Sequence, residues 1–192
     1  YDEENFADNE RFCRLGEIMP EKEFYALVKH VDTFDLVKLT SDFIDEVKGA
    51  VADHPIMGEM DIDLGDGDDP EEINELVDDH KAVPLHMGDD IVGCIKQAHE
   101  TDINLNAHVI FENLMGKASA VLAVKNLEKK HDIDMSEIDY IVECSEEACG
   151  DINQRGGGNF AKAIGEIAGC ENATGSDVRS FCAAPAHAIV NA

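Results

Sequence analysis

The chain has 192 residues, 44% of them apolar, with 42 acidic against 15 basic side chains and a net charge of −27. No apolar run approaches the roughly 18 residues that a membrane span needs. So few cations argue against nucleic acid and anionic membranes as partners, because both are held through basic patches.

Acidic residues occur almost throughout, so the charge is not a tail. It points to a halophilic, saline cytoplasm, where salt screens self-repulsion; a basic protein partner is the other reading. The six cysteines, 13, 94, 144, 149, 170 and 182, form no C-x-x-C pair, and "YDEENFADNERF" is not a secretory signal. Reduced cytosolic thiols are expected rather than a disulfide framework, and the residues call for no metal and no cofactor. Tyr1 stands first and "HAIVNA" last, in the pattern of a helix interior, so both ends are expected to be cut.

In chain order, "PEKEFYALVKHV" and "TSDFIDEVKGAVADH" carry apolar residues at helical spacing, the second capped by Thr40 or Ser41. The acidic stretch "GEMDIDLGDGDDPEEINELVDDH" invites a calcium-loop reading, but the register fails. Counted from Asp61, the fifth position is Gly65 and the sixth Asp66, where an oxygen ligand and then glycine are needed. A solvated turn and a short helix started by Pro70 are expected instead. Residues 1–90 thus read as an acidic, mainly helical region.

From residue 91 to 192 the pattern becomes α/β. "DDIVGCIKQA" has the short apolar run of a strand. "INLNAHVIFENLMGKASAVLAVKNLEKKH" reads as a long helix, with Asn106 as cap and Leu114, Ala118, Leu122 and Leu127 on a broad apolar face. Its central "GKASA" suggests close packing against another element. A turn and a buried strand, Tyr140–Cys144, follow; then a glycine-rich loop and helix, a weaker strand in "ENATGSDVRSF", and a last helix.

Cys182 stands where that last helix begins. Pro185 is harmless only in a first turn, so the helix starts at or just after Cys182. A thiol between a strand end and a helix N-terminus is suited to act as a thiolate nucleophile, and Ala183 and Ala184 leave room for a substrate. A small buried residue at a crowded turn is the competing reading. His187, about 140° round the helix, reads as facing a neighbouring element rather than as a direct base. The loop "ECSEEACGDINQRGGGNF" offers Glu146, Glu147, Cys149 and Arg155, then Gly156, Gly157, Gly158 and Asn159 at a helix entry. Backbone amides there can cradle an anion, with Arg155 as a bidentate donor, so the loop is expected to bind substrate. A plain flexible helix entry stays open as the alternative.

The order of helix, strand, glycine-rich loop, helix, strand and helix-start cysteine resembles the N-terminal half of thiolase-fold enzymes of the ketoacyl synthase III type over about residues 106–192. "LGEIMP", "NLNAHVIFENLMGKAS", "EIDYIVECSEEACGDINQRGGGNFAKAI" and "NATGSDVRSFCAAPAHAI" look more closely like the beta subunit of component C of glycine/sarcosine/betaine reductase complexes. That resemblance implies an enzyme subunit of amino-acid-fermenting anaerobes, in which a carboxymethyl-selenoether on a small selenoprotein is converted, with phosphate, to acetyl phosphate. It implies an alpha subunit, the selenoprotein and phosphate as partners in a homo- or hetero-oligomer, and Cys182 as catalytic nucleophile. It also implies a missing second thiolase half, so that this stretch alone would be inactive. A condensing enzyme acting on coenzyme A or carrier-protein thioesters, and a non-catalytic scaffold, are the other readings.

Overall fold

The computed structural model describes residues 11–13, 16–145 and 159–192. A short antiparallel pair, β1 (Phe12–Cys13) and β2 (Gly16–Glu17), precedes helix α1 (Glu21–Val31). Then come β3 (Val37–Leu39), α2 (Ser41–Asp53), α3 (Pro70–Asp78) and the hairpin β4 (Ala82–Met87) and β5 (Asp90–Lys96). The long helix α4 (Ala107–His131) leads to β6 (Tyr140–Ser145), α5 (Asn159–Ala168), β7 (Thr174–Arg179) and α6 (Ala184–Asn191). No described helix is long and apolar enough to cross a membrane.

The helix starts follow their caps. Thr40 Oγ1 accepts from the Phe43 amide, Asp69 accepts from Glu71 with Pro70 opening α3, and Asn106 Oδ1 accepts from Val109 at 2.9 Å. The acidic stretch before α3 also has structural work. Asp68 accepts from the Leu39 amide and pairs with Lys38, and Asp63 closes a turn on Gly65.

β3, β5 and β4 form an antiparallel sheet in that order, with β5 in the centre. β3 and β4 lie in the stretch expected to be mainly helical. The expected boundary at 90/91 falls within the first two residues of β5, so this sheet takes strands from both sides of it. The main core joins Leu27 and Val31 of α1, Leu39, Ile44 of α2, Ile95 and Ala118 of α4. Ala107, Ile110, Leu114, Ala118 and Val121 are the apolar positions of α4 that are buried; Leu127, expected on that face, is 51% exposed in the last turns.

β6 and β7 are parallel, with Tyr140 opposite Thr174 and Ser145 opposite Arg179, and α5 crosses between them. α5 lies close because small residues permit it. A Cβ at Gly175 would stand 2.6 Å from the Ile141 carbonyl oxygen and 2.8 Å from Ala161 Cβ. α5 also packs on the middle of α4, where the Gly116 position meets the Phe160 ring. The small "GKASA" residues therefore do sit at a helix contact.

Candidate functional site

β6 and β7 run the same way and are in register to their last residues, so the segments after Ser145 and after Arg179 leave from one end of the sheet. In open parallel sheets the carboxyl ends of strands are where ligands collect. The first segment begins the glycine-rich loop and the second carries Cys182. Glu146, Glu147, Cys149, Arg155, Gly156, Gly157 and Gly158 lie outside the described residues, and Asn159 is the first residue of α5.

Cys182 is exposed on a single 3-10 turn, Phe181–Ala183, between β7 and α6. In this chain, then, its side chain is not buried. The helix begins at Ala184 with Pro185 in its first turn, as the proline requires. Phe181 reaches this turn with φ +48°, a conformation that costs a bulky side chain energy and is found where surrounding structure enforces it. The Ala183 amide donates to the Ser180 carbonyl, and Ser180 Oγ lies 2.9 Å from His187 Nδ1. His187 thus bonds back to the turn rather than facing a neighbouring element.

The other described thiols differ. Cys94 and Cys170 are buried, and burial pushes both thiols up, Cys94 to about 11. Cys144 is half-buried within β6.

Asp177, Arg179 and Glu143, whose pairings the sequence did not give, shape this end of the sheet. Asp177 of β7 is buried, and its carboxylate accepts from the amides of Ala161 at 2.9 Å and Phe160 at 3.4 Å. The start of α5 thus already holds an anion supplied by the chain itself, and those two amides are not free for a ligand. Arg179 pairs with Glu143 on the neighbouring strand and lies 5.9 Å over the Phe160 ring. Its Nε is buried with no hydrogen-bond partner among the described residues. Only the alternation of "SDVRS" hints at these roles, since the partners are set by strand pairing.

A second polar cluster lies elsewhere. Glu17, Glu23 and His54 bring ligand-type atoms within 4.8 Å of one another, all with buried side chains. Arg11 occupies it, its Nε 2.8 Å from Glu17 and its guanidinium paired with Glu23. His54 Nδ1 accepts from the Ile56 and Met57 amides at 3.0 Å, so the neutral ring carries its proton on Nε2 and donates it to Glu17. A metal on Nε2 would need that proton moved to Nδ1, against two amide donors. The cluster is a closed salt-bridge network, not a metal centre.

No family model matches the chain, and no solved structure does. A curated protein of Peptoclostridium acidaminophilum, named glycine/sarcosine/betaine reductase complex component C subunit beta, is 49% identical to it over 191 residues. The match takes in the whole of this chain but only 37% of that protein's length.

Proposed function

We propose that the chain is part of a component C beta subunit of a glycine/sarcosine/betaine reductase complex, that its C-terminal region is the first half of a thiolase-like fold, and that Cys182 carries an acetyl group there. Identity with the relative over the whole chain supports the first statement. The placement of Cys182 supports the last: an exposed thiol on an enforced turn, at the sheet end from which the glycine-rich loop also leaves.

The acetyl group derives from a carboxymethyl-selenoether on the selenoprotein: a second thiol forms a Se–S bond as the Se–C bond breaks, which supplies the two electrons, the methylene takes up a proton, and the carboxylate loses one oxygen as hydroxide as its carbon joins Cys182 in a thioester. A phosphate oxygen attacks the thioester carbonyl, a C–O bond forms, the C–S bond breaks and the thiolate leaves, giving acetyl phosphate. The chain acts with an alpha subunit and the selenoprotein. The loop residues Glu146, Glu147, Cys149, Arg155, Gly156, Gly157 and Gly158, with Asn159, are assigned to substrate binding. Because Asp177 holds the amides of Phe160 and Ala161, any anion there is held by the loop and Arg155 rather than by the first turn of α5.

The test is radiolabelled acetyl phosphate added to the full beta subunit with its alpha subunit. Label on the peptide containing Cys182, released by hydroxylamine, is expected, together with a loss of at least about a hundredfold in acetyl phosphate formation for Cys182→Ala in the assembled complex. Label confined to the alpha subunit, with full activity of Cys182→Ala, would move the chemistry to the partner and leave this chain as a scaffold.

A further inference from the structure

We propose a second binding site, for a small organic carboxylate with a short apolar body, in a groove at the end of the three-stranded sheet. The groove has a volume of about 530 Å³, within the roughly 300–1,000 Å³ of small-molecule sites. Leu36 and Leu76 give it an apolar floor, and Lys81, Lys96 and the exposed Ala98 and His99 also line it. It shares no residue with the Cys182 turn, and the assignment does not rest on the reading of Cys182.

Lys96 is the informative residue. In a chain with 42 acidic side chains most described cations are already paired; Lys81 itself lies 2.8 Å from Asp79. Lys96 has no carboxylate within 4.0 Å among the described residues, yet it is partly buried at the end of β5. An ammonium with no ion pair among the described residues, beside an apolar floor, is a place for an anion that comes from outside.

His99 adds a donor. Its Nδ1 accepts from the Asp102 amide at 3.1 Å and the Thr101 amide at 3.3 Å, so the neutral ring carries its proton on Nε2. The same surroundings set the ligand's charge. Glu100 lines the groove and Asp79 flanks it, so a dianion such as hydrogen phosphate meets about twice the repulsion that a single carboxylate meets. The apolar floor rewards methylene groups, and the volume leaves room for several.

Isothermal titration of the full polypeptide with hexanoate, acetate and inorganic phosphate, at one ionic strength and neutral pH, tests the site. Hexanoate is expected to bind saturably, acetate at least about tenfold more weakly for want of methylenes, and phosphate not at all. Lys96→Gln should weaken hexanoate at least about tenfold, and Lys162→Gln, on the exposed side of α5, should change nothing. On the native protein, hexanoate should slow acylation of Lys96 by an activated acetyl ester while leaving Lys162 unaffected. That readout decides the matter even where Lys96→Gln does not fold. Absence of saturable hexanoate binding, equal binding by folded Lys96→Gln, equal binding of phosphate, or unprotected Lys96 would each overturn the site.

Discussion

At the scale of single residues, exposure separates the cysteines more sharply than their spacing does. Among Cys94, Cys144, Cys170 and Cys182, only Cys182 is exposed. A mild alkylating agent should therefore modify Cys182 first in the folded protein, as peptide mapping would show, and reach Cys94 and Cys170 only on unfolding. His30 gives a prediction with a defined sign. Burial, aided by the charge of Lys117 and opposed by Asp61, holds its imidazole below the ordinary value of 6.5. The unfolded chain then takes up the proton first. The contribution of His30 is complete above about pH 6.5 and is lost as pH falls through the lower folded value. Urea unfolding followed between pH 7.5 and 5 should show that loss, and His30→Gln should flatten it.

At the scale of elements, α5 depends on two features of its neighbours. Asp177 satisfies its first amides, so Asp177→Ala should cost about 1–3 kcal/mol in chemical denaturation, with Asp177→Asn recovering part of it. Gly175 permits the close approach of α5 to β6. Gly175→Ala places a methyl 2.6 Å from a backbone oxygen and should destabilise by about 1–3 kcal/mol, seen as a lower Tm with Cys182 still exposed. Neither feature was legible in the sequence, because both need the parallel pairing of β6 with β7. What was legible was local. Asn106, Thr40 and Pro70 mark helix starts, and Pro185 locates the turn of Cys182. β4 escaped because Pro84 sits inside it; a proline is tolerated there since β4 is an edge strand of its sheet. Leu127 was misplaced because α4 runs on past the core, so its last apolar residue meets solvent.

At the scale of the whole molecule, the charge of −27 is a term in stability as well as in solubility. Like charges spread over one compact body repel one another, and salt screens them over a Debye length of about 3 Å at 1 M. Raising KCl from about 0.05 M to about 2 M should therefore raise Tm by several degrees, as scanning calorimetry would show. A flat or falling Tm would count against repulsion as a limiting factor, and with it against adaptation to salt.

The two segments that leave the shared end of β6 and β7 start from strands whose own geometry is set by α5, Gly175 and the Asp177 cap. That arrangement bears on how such a chain can change. On the proposed assignment of the site, substitutions and insertions past Ser145 or Arg179 alter what meets a substrate. Variation in chemistry and variation in folding are thereby drawn from different sets of positions, and relatives with different substrates are expected to diverge at the strand ends while keeping the glycines and the buried aspartate behind them.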